Sequence, residues 1–135
     1  MKLITRDTDY AIRALCCMAK SDNELVSVSD LCNKLRIPRP FLRKILQILN
    51  KKKILRSIKG QNGGFKLNIS SRRITLFSLI VAFQGNFKFN ECTFKKSVCP
   101  EIKKCKIRKK INKIERYVVK QLKNISILSL VAERG

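Results

Sequence analysis

The chain contains no histidine, the side chain that most often acts as a general base or binds zinc through nitrogen. Without histidine, the Ser-His and Cys-His pairs that activate many nucleophiles cannot form. The nine acidic residues are scattered, and the sequence has neither a paired-carboxylate motif nor a glycine-rich phosphate loop. These absences argue against catalysis, and we predict that the chain is not an enzyme.

Long apolar runs are also missing. The longest, Ile74 to Phe83, is about half of the roughly 20 residues that a membrane-spanning helix needs. No charged and apolar leader is recognised at the N-terminus, so we expect no signal peptide. Hydrophobic residues still make up 44% of the 135 residues, which is enough for a packed core. We therefore expect a soluble, cytoplasmic protein of about one domain, with no membrane partner.

Acidic residues are absent from Leu31 to Asn90, whereas 14 Lys or Arg residues fall in that stretch. The whole chain has a formal net charge of +22. Because a surface of one sign repels itself, such a stretch indicates a polyanionic partner, and nucleic acid is the first candidate. A lysine-rich proteome is one alternative explanation. An anionic membrane fits less well, since the basic residues are spread among turns rather than along one amphipathic helix.

The first half of the chain predicts three helices. The first covers Thr8 to Lys20, and the second starts after Ser27 and ends near Leu35. The two prolines of Arg36 to Pro40 predict a turn, because each excludes the preceding residue from the helical region. The third helix runs from about Phe41 to Lys51, with Pro40 suited to its first position and basic and amide side chains on one face. This pattern is typical of a helix-turn-helix, although an ordinary helical hairpin has the same outline.

A two-stranded ribbon is predicted directly after the third helix. Residues 54–58 and 65–69 alternate between apolar and polar, and the segment between them contains Asn-Gly, a strong hairpin signal. A ribbon in this place is a wing, and glycine lets its tip approach the DNA backbone closely. The residues predicted to contact DNA from the helices, the turn and the wing are Ser29, Arg39, Phe41, Arg43, Lys44, Gln47, Arg56, Lys59, Gly60, Gln61, Asn62, Gly63 and Gly64.

Two further helices complete the prediction. One covers Thr75 to Phe83, is capped by Thr75 and is closed by Gly85. The other is long and carries an apolar stripe of Ile107, Ile111, Ile114, Val118, Leu122 and Ile125. We expect this stripe to pair with a second copy of the chain; packing on its own domain is the alternative.

The predicted fold class is therefore mainly α with a small β-wing: a winged helix-turn-helix plus a long dimerisation helix. We divide the chain into a DNA-binding domain at 1–86, a cysteine-containing loop at 87–106, and a dimerisation helix with a C-terminal segment at 107–135.

The six cysteines fall into two sets. Cys16, Cys17 and Cys32 lie in predicted helices and are expected to be small buried or half-buried side chains. The second set is Cys92, Cys99 and Cys105, which are separated by six and five residues between two helices. Nearby lysines favour the thiolate form that binds metal. An iron–sulfur cluster is the first interpretation, with zinc and redox-active thiols left open. A redox enzyme using Cys99 is the alternative from another class.

Several segments together resemble the Rrf family of winged-helix regulators, which includes IscR-like and NsrR-like iron–sulfur repressors. The matching segments are residues 8–15, Ile37-Pro38 with 41–46, 60–67, 74–76, and the three cysteines of the second set. The resemblance implies a homodimer that binds a two-fold-related DNA operator. It also implies that Cys92, Cys99 and Cys105 hold a 2Fe–2S or 4Fe–4S cluster.

The resemblance also bears on the fourth ligand of that cluster. IscR-like members have a histidine where this chain has Arg108. The Thr-Asp-Tyr match instead gives Asp9 the role of the NsrR-like ligand from the other subunit, with Asp7 as a nearby alternative. A 4Fe–4S cluster is therefore favoured over 2Fe–2S. The implied signal is nitric oxide, with redox or iron–sulfur status as alternatives.

This chain departs from the family pattern at three places. The first cysteine gap is one residue longer than usual, Arg43 replaces a common glutamate, and Lys59 replaces the usual wing arginine. The alternative function within the same fold is a cluster-free repressor that responds to thiols or zinc.

Overall fold

The computed structural model describes residues 2–21, 25–88 and 106–133, which form six helices and one two-stranded sheet. The helices are α1 (Arg6–Lys20), α2 (Val28–Leu35), α3 (Arg39–Lys51), α4 (Leu76–Gln84), α5 (Lys106–Lys123) and α6 (Ile127–Ala132). Strands β1 (Leu55–Ile58) and β2 (Gly64–Leu67) pair antiparallel, with Leu55 opposite Leu67. This architecture confirms the predicted fold class, mainly α with a small β-hairpin.

The helix-turn-helix forms as the sequence predicted, with small shifts at its ends. The Ser27 side chain caps α2 by accepting the backbone N–H of Asp30 at 3.1 Å. Arg36 ends α2 in the left-handed region, with φ 55°. α3 begins at Arg39, so Pro40 occupies the second helical position rather than the first. Since the first-turn N–H groups have no helical acceptor, proline is tolerated at either position.

One core joins the three N-terminal helices to the wing. α3 buries Leu42, Ile45, Leu46 and Leu49, the face expected from their spacing. They pack in a single cluster with residues from α1, α2, β1 and α6. Burying four aliphatic side chains contributes roughly 1.5–3 kcal/mol each, so packing rather than helix propensity determines the orientation of α3.

The wing is attached to the segment that precedes α2. The N–H of Val26 donates to the carbonyl of Phe65 at 2.9 Å, and the N–H of Phe65 donates back at 2.8 Å. The turn predicted at 59–64 forms as a five-residue loop at 59–63, and Gly64 is already the first residue of β2. In this loop Gly60 has φ 118°, and the Gly63 N–H donates to the Gly60 carbonyl at 3.0 Å.

The C-terminal segment returns to the head of the molecule. α5 ends at Lys123, short of Ile125, because the Ser126 side chain caps a new helix, α6, that the sequence analysis missed. The Ile127 N–H donates to the Ile74 carbonyl at 2.8 Å, and the Ile127 side chain is fully buried in the main core. The domain division at residues 86 and 107 remains a prediction, and α6 packs against α1 across it.

A buried polar contact joins the start of α1 to the end of α4. Thr5 caps α1, which therefore starts two residues before the predicted Thr8. The Thr8 hydroxyl is fully buried and donates to Oε1 of Gln84 at 2.7 Å, and the backbone N–H of Thr5 donates to the same oxygen at 3.1 Å. Buried polar groups with partners hold their elements in one arrangement, so the first turn of α1 is fixed relative to α4.

Across residues 2–21, 25–88 and 106–133, none of the helices combines the length and apolar character that a membrane span requires.

Candidate nucleic-acid interface

The solvent face of α3 carries three of the residues predicted to contact DNA. Arg43, Lys44 and Gln47 are all exposed, on the side opposite the four buried aliphatic residues of the same helix. We call these three residues the recognition strip. Guanidinium, ammonium and amide groups are the donors that read guanine and adenine edges in the major groove. Within this 13-residue helix the three side chains lie in little more than one turn, a compact set that suits entry into that groove.

Arg39 connects the first turn of α3 to α2. Its guanidinium Nη2 donates to the hydroxyl of Ser29 at 2.6 Å, and both side chains are exposed. This bond limits the rotamers of Arg39 while leaving its other N–H groups available to an anion. The sequence predicted Ser29 and Arg39 as DNA contacts at separate positions, and the fold brings their side chains together.

The first turn of α1 contacts the same part of α3, and this was not predicted. The guanidinium carbon of Arg6 lies 4.8 Å from the centroid of the Phe41 ring. One residue further on, the carboxylate of Asp7 lies 3.9 Å from Nζ of Lys44. The members of these pairs are 35 and 37 residues apart in sequence, so no local pattern could reveal either contact.

The wing presents the remaining predicted DNA contacts. Arg56, Lys59, Gly60, Gln61 and Asn62 are exposed, whereas Gly63 and Gly64 are half-buried. Two of these glycine positions have no room for a Cβ atom. A Cβ at Gly63 would lie 2.2 Å from the Ile58 carbonyl oxygen, and one at Gly64 would lie 2.4 Å from the Val26 carbonyl oxygen. Such distances to backbone atoms allow no side chain, so these glycines shape the wing whatever else they contact.

Of the four predicted metal ligands, Asp9 alone lies among the described residues. Cys92, Cys99 and Cys105 lie outside the described residues. Asp9 lies in the first turns of α1, where its carboxylate is 3.1 Å from Nε of Arg13 and its side chain is 43% exposed. Within residues 2–21, 25–88 and 106–133, no group of three or more cysteine and acidic side chains could hold a metal ion.

The first set of cysteines is half-buried, as predicted. Cys16, Cys17 and Cys32 are free thiols, partly buried against the main core. Burial raises the pKa of the Cys16 thiol above its ordinary value, a larger effect than the lowering by nearby Lys20. Its thiolate is therefore disfavoured, and these residues act as small apolar side chains.

Comparison with known proteins identifies relatives over nearly the whole chain. A family model described as "Rrf2: Iron-dependent Transcriptional regulator" matches residues 4–133. A putative HTH-type transcriptional regulator of Aquifex aeolicus is 30% identical over 124 residues, covering 90% of this chain and 86% of that protein. The HTH-type transcriptional regulator NsrR of Oceanobacillus iheyensis is 32% identical over 127 residues, covering 92% and 86%.

Solved structures share the fold. CymR (YrzC), the global cysteine regulator of B. subtilis, has a TM-score of 0.81 at 18% identity, with all of both chains covered. IscR of T. potens has a TM-score of 0.72 at 19% identity, covering 97% of this chain and 86% of the other. Because the family and these relatives are regulators of transcription, the prediction that the chain is not an enzyme is confirmed. The chain belongs to the Rrf2 family of helix-turn-helix transcriptional regulators, as its helix-turn-helix and wing indicated.

Proposed function

We propose that this protein is a cytoplasmic, homodimeric repressor that binds a double-stranded DNA operator through α3 and the wing. The observation that carries this proposal is the recognition strip, exposed on a short helix beside a wing in a stretch without acidic residues. Arg43, Lys44 and Gln47 contact base edges, whereas Arg56 and Lys59 neutralise phosphates and set the register. Ser29 and Arg39, which bond to each other, hold the first turn of α3 against the sugar–phosphate backbone of the DNA.

The two-fold symmetry of the operator requires a second copy, and α5 offers the surface for it. Its apolar stripe is buried at one end, where Leu122 is 6% exposed. At the other end it is uncovered within the described chain, where Ile114 is 52% and Ile107 75% exposed. Large aliphatic side chains exposed in a row favour association. Pairing of two α5 helices would set the two copies of α3 about 34 Å apart, one turn of DNA.

Salt dependence tests the DNA-binding proposal. We expect the logarithm of the association constant to fall linearly with the logarithm of salt concentration, by about 0.9 for each phosphate neutralised. If the dimer contacts six to ten phosphates, affinity should fall by about a thousandfold or more between roughly 50 and 200 mM salt. The measurement is fluorescence anisotropy of a labelled duplex at several salt concentrations. A response that is flat with salt would reject a nucleic-acid partner.

We further propose that Cys92, Cys99 and Cys105 hold an iron–sulfur cluster with Asp9 of the partner subunit as the fourth ligand. Three thiolates and a carboxylate form a donor set suited to a 4Fe–4S cluster, with 2Fe–2S as the alternative. A bound cluster supplies a centre that reacts with nitric oxide and oxidants. The exposed carboxylate of Asp9 supports the assignment, because a ligand to another subunit must lie at the surface. Asp9 and Asp7 both lie in the first two turns of α1, and Asp7 contacts the recognition strip, so a ligand at Asp9 is joined to the DNA-binding surface through this helix.

The cluster proposal is tested by anaerobic absorption spectra with iron and sulfide analysis. We expect a coloured protein whose chromophore is lost in Cys99→Ser, decays faster in Asp9→Ala and bleaches with nitric oxide. Cys32→Ser is the matched control, since Cys32 lies on α2, is partly buried against the main core and is not a proposed ligand, so it should leave the spectrum unchanged. A colourless protein with stoichiometric zinc would contradict the cluster.

The second candidate is a cluster-free repressor of the same fold that responds to thiols or zinc. The structural likeness to CymR, which is described as a cysteine regulator, supports this candidate, because CymR has the same architecture over its whole length. Both candidates predict the same salt dependence on DNA, and the metal and sulfide analysis separates them.

A further inference from the structure

The first turn of α1 lies at the edge of α3 that faces away from α2. On the α3 helix, Arg39 and Phe41 project from opposite edges of the exposed face, since they are two residues, or about 200°, apart. Arg39 bonds to Ser29 of α2 at one edge, and Phe41 contacts Arg6 of α1 at the other. A duplex whose major groove receives α3 therefore meets α2 on one side and the first turn of α1 on the other.

Helix stability does not explain a basic residue at the position of Arg6. Arg6 is the first residue of α1, where the helix dipole favours negative rather than positive charge. The Phe41 ring compensates through a cation–π contact, with the guanidinium carbon 4.8 Å from the ring centroid. A cation–π contact uses none of the five N–H donors of the guanidinium group as hydrogen bonds to an acceptor oxygen, so Arg6 keeps donors for a phosphate. Arg6 is exposed, as this role requires.

Asp7 has the opposite effect on the same surface. Its carboxylate lies 3.9 Å from Nζ of Lys44, a residue of the recognition strip that is itself 66% exposed. A DNA phosphate or base acceptor must compete with Asp7 for this ammonium group. The carboxylate also repels phosphates that approach α3.

We propose that the first turn of α1 is a DNA-contacting element with two opposing residues. Arg6, held by Phe41, binds a backbone phosphate beside the recognition strip, and Asp7, by pairing with Lys44, lowers affinity for DNA. This inference rests on the proposed DNA-binding function. It adds to the DNA-binding surface two residues that lie outside the helix-turn-helix and the wing. Neutralising Arg6 and neutralising Asp7 should therefore change affinity in opposite directions.

The test measures binding of the full chain to a labelled mixed-sequence duplex of about 40 base pairs, long enough for two half-sites one turn apart. We expect Arg6→Gln to weaken binding about fivefold to tenfold and to make the log–log salt slope of the dimer shallower by about 1.8, or about 0.9 for each of its two subunits. We expect Asp7→Asn to tighten binding about twofold to fivefold. The gain should become smaller when Lys44 is also replaced by Met, because only the repulsion between Asp7 and the phosphates then remains to be relieved.

Two variants match these changes elsewhere in the chain. Lys123→Gln removes a cation that lies 4.9 Å from the Phe77 ring, and Glu115→Gln removes an acid from α5. Both should change affinity much less than their counterparts in α1, and thermal unfolding should show that all four variants fold. Equal effects of Arg6→Gln and Lys123→Gln, or weaker binding in Asp7→Asn, would overturn the inference. Failure of the proposed function looks different, because the unmodified chain itself would then bind DNA without steep salt dependence.

Discussion

Replacing Gly64 with alanine should detach the wing from the segment that precedes α2 and remove most of the affinity for DNA. The new Cβ would lie 2.4 Å from the carbonyl oxygen of Val26 and 2.9 Å from its carbonyl carbon. Neither backbone atom can move without breaking the two hydrogen bonds between Val26 and Phe65. We expect a loss of roughly 2–4 kcal/mol in the free energy of unfolding, from steric overlap and lost hydrogen bonds. Urea unfolding and anisotropy with a labelled duplex measure the two effects.

Two other wing substitutions calibrate this result. Asn62→Ala changes an exposed side chain at the tip and should leave unfolding within about 0.5 kcal/mol of the parent. Gly60→Ala meets no atom within 4 Å but must adopt φ 118°, so we expect an intermediate loss of roughly 1–3 kcal/mol. The free energy of unfolding should therefore be highest for Asn62→Ala, lower for Gly60→Ala and lowest for Gly64→Ala. If Gly64→Ala were as stable as Asn62→Ala, the wing would not depend on its contact with Val26.

Placing lysines on the apolar stripe of α5 should convert the protein to a monomer. Ile107 and Ile114 are 75% and 52% exposed in the single chain, so their replacement leaves its core intact. In a paired helix the same changes bring four ammonium groups into an apolar contact, which desolvation makes very unfavourable. We expect Ile107→Lys/Ile114→Lys to sediment as a monomer. It should bind a two-half-site operator at least about a hundredfold more weakly, because the linkage between heads is lost.

The control for this variant adds a lysine to the other face of α5. Asn112 is an exposed polar residue about 140° around the helix from Ile107, and Asn112→Lys should keep the parent's oligomeric state. Analytical ultracentrifugation of both variants separates the effect of position from that of charge. A dimer that survives lysines at Ile107 and Ile114 would place the subunit interface elsewhere.

Local sequence signals predicted the elements of the DNA-binding head well. Ser27 and Thr75 have side chains that cap helices, and both caps form as expected. The spacing of Leu42, Ile45, Leu46 and Leu49 identified the buried face of α3 and, by exclusion, the recognition strip. These signals succeed because capping and amphipathic periodicity depend on residues within one or two turns of each other.

Errors arose where a longer-range contact decided a boundary. The stripe on α5 was extended to Ile125, but the chain turns at Asn124, and the carbonyl of Ile125 accepts the N–H of Leu76 at 2.9 Å. Ile125 could be an apolar residue on the stripe of a longer α5 or, as observed, a residue after α5 that bonds to the start of α4. The periodicity of apolar residues is the same in both cases, so it cannot distinguish them. In the wing, Gly64 was expected in the turn but pairs with Ile58 as the first residue of β2.

By itself the sequence determined that the protein is a basic, mainly helical regulator without histidine, with an exposed strip of donors on one helix and three spaced cysteines. Only the tertiary structure decided what lies beside that strip. Arg6 and Asp7 meet Phe41 and Lys44 because the packing of α1 on α3 sets where the first turn of α1 falls. Periodicity specifies which face of a helix is buried but not which element covers it, since partners are chosen by the three-dimensional fit of the whole core.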